Sequence, residues 1–224
     1  MKTVESATEV LVEPEGPVNA AIIWLHGLGA DGHDFLPIVP ELTLPHAVAA
    51  RFVFPHAEVR PVTVNGGIRM RAWYDILGFN RMDAQDEAGI RASAARVDAL
   101  IDAQVAGGLP HGRIMLAGFS QGGAIALHVG LRRREALAGV MALSTYLPLE
   151  STVAAEATPA GRATPILMCH GGQDPVVVPD RGIRSRDVLR ALEVLVDWHQ
   201  YPMGHEVCAK EIGEISRWLG LRLG

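Results

Sequence analysis

Short apolar runs alternate with longer stretches of helical period, and this predicts an α/β protein with a mostly parallel twisted sheet and helices on both faces. The runs fall at 20–25, 52–54, 114–119, 140–143 and 166–169, with a last one near 196–201, so five to seven strands are expected. Between them, Ile90, Ala94, Val97, Ile101 and Val105 recur three and four residues apart, the spacing of one helix face. A chain of 224 residues, 49% hydrophobic and 20% charged, can bury a sizeable core. Since no linker or sharp composition shift divides it, residues 1–224 are read as a single domain.

The first strand, 20–25, leads through a glycine-rich turn into a helical stretch over 34–42. After the 52–54 strand, the alternating runs 61–64 and 68–73 flank Asn65-Gly66, a turn signal that predicts a β-hairpin protruding from the sheet. An amphipathic helix is expected over 86–105, its dipole matched by Asp83, Asp86 and Glu87 at the start. Strand 114–119 runs into a helix over 121–131, and Arg132-Arg133-Arg134 reads as the cationic end of that helix rather than a phosphate patch. The segment 145–165 has three prolines and no period, so a long surface loop is expected there. Beyond the 166–169 strand, helices are expected from Pro179 to near Leu195 and over 209–219, separated by the 196–201 strand.

A net charge of -5, from 20 Lys+Arg against 25 Asp+Glu, argues against nucleic acid as the main partner. No apolar run is long enough to cross a bilayer, so no stable membrane insertion is expected. The first twenty residues carry Glu5, Glu9, Glu13 and Glu15 with no basic segment leading into an apolar one; this is not a secretory signal, and a cytoplasmic location is expected. Two cysteines make no disulfide scaffold. Cys169 closes an apolar run and reads as a buried reduced thiol rather than a nucleophile.

Gly118-Phe119-Ser120-Gln121-Gly122 matches G-x-S-x-G, a strand-to-helix turn tight enough to require small residues beside the serine. The buried strand before it and the small, apolar helix from Gly123 to Leu127 after it are the expected context. The competing reading is a glycine-rich connection with an incidental serine. A serine hydroxyl needs a neutral imidazole to take its proton and a carboxylate to orient that imidazole. Of nine histidines, only His199 and His205 lie on or after the last strand, where chain order places such a base. His199 alternates within the strand, whereas His205 follows the loop Pro202-Met203-Gly204 and is preferred. Asp174, in the turn after the 166–169 strand, is the expected carboxylate; its competing reading is an Asx-turn before Pro175.

Gly27-Leu28-Gly29-Ala30-Asp31-Gly32 satisfies G-x-G-x-x-G, which by itself suggests a dinucleotide. The next strand, however, closes on Phe54-Pro55-His56 with no acidic residue for a ribose. His26-Gly27 after an early strand fits better as an oxyanion loop, with backbone NH groups of Leu28 and Gln121 as the donors and His26 as its hydrogen-bonded brace. A metal at Asp31, His33 and Asp34 has no matching ligand spacing, and no metal or organic cofactor is expected.

Over almost its whole length the chain resembles the small carboxylesterases of the acyl-protein thioesterase and lysophospholipase-like family. The resemblance rests on the ordered set Leu25-His26-Gly27-Leu28-Gly29-Ala30-Asp31-Gly32, Phe54-Pro55-His56-Ala57, Pro61-Val62-Thr63 with Asn65-Gly66-Gly67, Trp73-Tyr74-Asp75, Gly118 to Gly123, His170-Gly171 with Asp174-Pro175-Val176-Val177, and Tyr201-Pro202-Met203-Gly204-His205. It implies an α/β-hydrolase core without a large cap domain, the triad Ser120, Asp174 and His205, and carboxylic esters of short to medium acyl chains, protein thioesters or lysophospholipids as substrates. A small ester or acyl-thioester is then the expected partner, and a homodimer fits relatives of this size. The loop Thr145-Tyr146-Leu147-Pro148-Leu149, with Leu147 foremost, and Val176 and Val177 line an acyl groove or serve as packing, and Trp73 is a substrate wall or part of the hairpin core. The chain departs from the pattern at Arg71-Ala72, where a proline is expected before the aromatic.

Overall fold

The computed structural model describes residues 1–78 and 85–224. Its main sheet has eight strands. The six strands β4 (Ala50–Pro55), β3 (Ala20–Leu25), β7 (Ile114–Phe119), β8 (Gly139–Leu143), β9 (Ile166–Gly171) and β10 (Val196–Tyr201) are parallel. At one edge, β2 (Glu9–Glu13) pairs antiparallel with β4, and β1 (Lys2–Glu5) pairs antiparallel with β2. The apolar runs therefore mark the six parallel strands, and the expected five to seven falls below the eight observed because no run marks this edge pair. β1 is exposed along its length, and β2 buries only Val10 and Val12, so neither produces a continuous apolar run.

Strand alternation divides the interior between the two faces. Ala21, Ile23 and Leu25 of β3 join one cluster with Ile90, Val97 and Ile101 of α1 (Glu87–Ala106), Ala124 to Leu127 of α2 (Gln121–Gly130), and Leu189 of α5 (Pro179–Ala191). Ala20, Ile22 and Trp24 join the opposite cluster with Ile215, Trp218 and Leu219 of α6 (Ala209–Leu223). The helical stretch expected over 34–42 is a short 3-10 helix, Leu36–Glu41, with Pro40 inside it. Asp86 caps α1, accepting from the Gly89 backbone NH at 2.9 Å; Asp83 lies outside the described residues.

The segment 145–165 is not a surface loop. It forms α3 (Glu150–Glu156) and α4 (Pro159–Ala163), and Val153 is fully buried. Thr158 caps α4 through Gly161 and is followed by Pro159 at the first turn, a start signal that periodicity does not detect in a helix of one or two turns. Arg132 does cover the end of α2, donating to the His128 carbonyl at 3.1 Å, and it also pairs with Glu156. Arg133 instead ties α2's end to α1 through Asp98 and Asp102.

The predicted hairpin is present as β5 (Val59–Val62) and β6 (Ile68–Arg71), joined through a 3-10 turn at Thr63–Asn65. It is a separate two-stranded sheet, and its far end leads to Trp73 and Tyr74. Cys169 is buried and free, and burial pushes its thiol pKa well up, as suits an unreactive core thiol.

Candidate active site

β7 ends at Phe119 and α2 begins at Gln121, so one residue, Ser120, makes the turn. Its φ of 53° lies in the left-handed region, a strained setting for a residue with a Cβ. The turn is crowded backbone against backbone. A Cβ on Gly118 would lie 2.4 Å from Gly122, and one on Gly122 would lie 2.4 Å from the Leu25 carbonyl oxygen. Three bonds fix the serine backbone: its NH donates to the Leu143 carbonyl at 2.9 Å, and its carbonyl accepts from Thr145 Oγ1 at 2.6 Å and from the Ala124 NH at 3.1 Å.

His205 Nε2 stands 2.9 Å from Ser120 Oγ, and His205 Nδ1 stands 2.6 Å from Asp174 Oδ2. The second carboxylate oxygen of Asp174 accepts from the backbone NH groups of Val176 and Val177 at 2.8 and 2.9 Å. One oxygen of Asp174 thus closes an Asx-turn while the other faces the imidazole. At 2% exposure the carboxylate has no solvent alternative. The Phe119 ring packs 4.7 Å from the His205 ring and limits its swing. His199 is a β10 residue paired with Asp197 at 2.9 Å, outside this relay.

The loop after β3 is braced from several directions. His26 donates from Nδ1 to the Gly27 carbonyl at 2.7 Å and accepts at Nε2 from the Ala57 NH at 3.0 Å. Burial pushes its pKa down to about 4, which keeps the ring neutral for this dual role. Trp73 Nε1 donates to the His26 carbonyl at 2.9 Å, and the Gly29 NH donates to the Arg71 carbonyl at 2.9 Å. The unexpected Arg71-Ala72 pair therefore still docks the hairpin on this loop. The Gln121 side chain is engaged on the hairpin too, accepting from the Trp73 NH at 2.8 Å and donating to the Tyr74 carbonyl at 2.7 Å. As the first residue of α2, Gln121 has a backbone NH with no partner inside its helix.

A cavity of about 420 Å³ opens over Ser120, with Leu28 and Gln121 in its lining. Leu147, Val176 and Val177 line it as well, with Tyr146 and Leu149 of the same 145–149 loop; Tyr74, Ile76 and Leu77 join them and were not singled out from the sequence as site residues. Trp73 corrects one expectation. It is 1% exposed in the core, so it braces the loop from behind while its neighbour Tyr74 forms the wall. The signal for Tyr74 was faint, since it hangs from an irregular segment whose direction only packing sets.

The G-x-G-x-x-G loop lacks the α-helix whose N-terminus would hold a pyrophosphate, because a 3-10 helix with an early proline follows it. His33 bridges Asp31 at 3.0 Å and Glu5 at 3.2 Å, outside any set with Asp34. Among the described residues, Asp197, His199 and Glu214 bring metal-ligand atoms within 4.8 Å of one another. Arg217 pairs with both of those carboxylates and already supplies the positive charge there.

A mostly parallel sheet with helices on both faces, and a serine on the turn after its central strand β7, define an α/β hydrolase. The family model described as Phospholipase/Carboxylesterase matches residues 6–222, and the chain belongs to that family. Acyl-protein thioesterase 1 of Neurospora crassa is 38% identical over 213 residues, 91% of this chain and 87% of that protein. Acyl-protein thioesterase 1 of Yarrowia lipolytica is 36% identical over 89% of this chain and 90% of its own. Among solved structures, Arabidopsis thaliana SOBER1 superposes with TM-score 0.87 at 31% identity, covering 92% of this chain and 100% of that one. Zea mays acyl-protein thioesterase 2 gives TM-score 0.85 at 31% identity, covering 96% and 99%. The protein is a hydrolase, and no helix among its described residues is long and apolar enough to cross a membrane.

Proposed function

We propose that the chain is a serine hydrolase cleaving carboxylic esters of short to medium acyl chains through Ser120, His205 and Asp174. The observation that carries the reading is the unbroken relay of 2.9 and 2.6 Å contacts from Ser120 Oγ to Asp174, with the serine end facing a cavity that Leu147, Leu149, Val176 and Val177 help to line. With the proton of neutral His205 on Nδ1, facing Asp174, Nε2 is left to accept from the serine hydroxyl. Ser120 Oγ attacks the ester carbonyl as its proton passes to Nε2. The backbone NH groups of Leu28 and Gln121 receive the oxyanion, worth several kcal/mol where water is excluded. Collapse expels the alcohol, which takes the proton from His205 and leaves an acyl-enzyme. Water then attacks the acyl carbon, its proton passing to His205 and on to Ser120 Oγ as the acid departs.

Leu147, Val176 and Val177 hold the acyl chain in this reading, with Val176, half exposed, at the rim. The test is hydrolysis of p-nitrophenyl esters from acetate to decanoate by wild type and Ser120→Ala. A loss of at least about a thousandfold in the variant supports it. Equal rates for both proteins across the series would remove Ser120 from the chemistry. A fluorophosphonate probe that leaves Ser120 unlabelled would favour a binding protein on a hydrolase scaffold.

Thioester cleavage is the second reading, favoured by the relatives named acyl-protein thioesterase. The same acyl-enzyme forms from a thioester, with a thiol leaving in place of the alcohol. Comparing kcat/KM for an acyl thioester and its oxygen ester separates the two, because both share the acyl half.

A further inference from the structure

Tyr74 and Tyr146 meet inside the cavity with their hydroxyl oxygens 2.8 Å apart. Ile76, Leu77, Leu147 and Val177 line the same space, together with polar side chains that include Gln85, Arg181 and Ser185. Neither backbone depends on the phenols for its position. Tyr74 is held through its carbonyl by Gln121 Nε2, and Tyr146 lies between Thr145, bonded to the Ser120 carbonyl, and Leu147, whose NH donates to Ser185 Oγ at 2.8 Å. Both anchors lead directly to the Ser120 turn, so the pair stands at a fixed offset from the reacting serine.

Among the described residues the hydrogen count of this pair is incomplete. Two hydroxyls carry two hydrogens, and their mutual bond uses one. Among the described residues, no acceptor for the other is found. The guanidinium of Arg181, over the Tyr146 ring at 5.6 Å, has only donors to offer. Tyr74 is 2% exposed and Tyr146 is partly exposed, so a spare hydrogen on Tyr74 has no bulk water to meet and is costly to leave unpaired. Burial raises the pKa of both phenols, and the hydrogens therefore stay in place at neutral pH.

We propose that the Tyr74–Tyr146 hydroxyl pair is a specificity-determining subsite that donates a hydrogen bond to an oxygen acceptor in the substrate, a few atoms from the scissile carbonyl. The enzyme then prefers oxygen-bearing chains to plain alkyl chains of equal length. This rests on the ester-hydrolase reading above and adds to it the polar feature that the substrate must present.

The test compares p-nitrophenyl heptanoate with isosteres in which one ether oxygen replaces the fourth, fifth or sixth chain carbon, each rate corrected for its reactivity toward hydroxide. Wild type, Tyr74→Phe, Tyr146→Phe and Ser120→Ala are assayed together. The readout is the ratio of kcat/KM values, ether over alkyl, which is independent of the fraction of protein folded. In wild type at least one isostere is expected to be favoured about tenfold, because an unmet donor in the pocket penalises the alkyl chain. That ratio should fall to about one in at least one Phe variant, with the lost hydroxyl. No favoured isostere in wild type, or a preference that persists in both Phe variants, overturns the subsite. Wild-type turnover abolished in Ser120→Ala keeps the hydrolase reading whatever the ratio. Undiminished turnover in Ser120→Ala removes that reading and the subsite with it.

Discussion

Replacing Gly122 by alanine tests the idea that the site depends on two backbone segments touching. A Cβ there would lie 2.4 Å from the Leu25 carbonyl oxygen and 2.6 Å from the His26 carbonyl oxygen, both backbone atoms that cannot rotate away. Ordinary contact needs about 3.5 Å, so helix α2 and the loop after β3 must separate by about 1 Å. Those two segments carry the proposed oxyanion donors, Gln121 on one and Leu28 on the other. A displacement of that size costs about a hundredfold in rate. Overpacking should cost about 1–3 kcal/mol of stability, offset in part by the better helix propensity of alanine. Gly213→Ala is the matched control, since a Cβ on that α6 residue meets nothing within 4 Å. The assays are kcat/KM on p-nitrophenyl butyrate and the urea midpoint, measured on both variants. A Gly122→Ala enzyme as active as the Gly213→Ala control would refute the reasoning.

Three further outcomes follow from named groups. In Asp174→Asn the side-chain oxygen stays with the Val176 and Val177 NH groups, so the amide NH2 faces His205 Nδ1 and forces the wrong tautomer; kcat should fall by about 10⁴, and a loss below about tenfold would contradict the relay. Glu211 is fully buried and burial pushes its pKa from 4.5 up to about 8, so the folded protein keeps a proton that the unfolded chain has released between those values. Stability therefore falls as pH rises through that window, by at most about 1.4 kcal/mol per pH unit, and Glu211→Gln should gain on wild type across it in urea unfolding; parallel curves would show the carboxyl is not the cause. For His26 the sign is opposite: with its pKa lowered from 6.5 to about 4, the unfolded chain binds the proton first. Its contribution is full above pH 6.5 and is lost as pH falls toward about 4, so urea midpoints of His26→Gln should depend less on pH there than those of wild type; equal dependence would assign the effect to other groups.

The proposed triad was legible because each member sits in a local pattern that carries geometry. Ser120 lies between glycines that only a tight turn needs, Asp174 precedes a proline in a turn, and His205 follows the last strand. The parallel strands were legible for a related reason, since burial on both faces leaves unbroken apolar runs. β1 and β2 were missed because an exposed edge ribbon has no such run, and α3 and α4 because one or two turns are too short to show a period. Nothing in the sequence pattern ranked Trp73 against Tyr74. Each is an aromatic next to the hairpin, and which one is core and which one wall depends on the Trp73 bonds to His26 and Gln121.

By itself, the sequence determined the α/β class, the order of the parallel strands along the chain, and the residue types at the proposed triad. These are set by short-range physics: side-chain period, turn sterics and the chemistry of serine, histidine and carboxylate. The tertiary structure alone decided the meeting of Ser120, Asp174 and His205 across 85 residues of chain, the brace on the His26 loop and the Tyr74–Tyr146 pair. Such contacts join residues distant in sequence, and their geometry follows from the packing of whole elements on a twisted sheet, which no local pattern encodes.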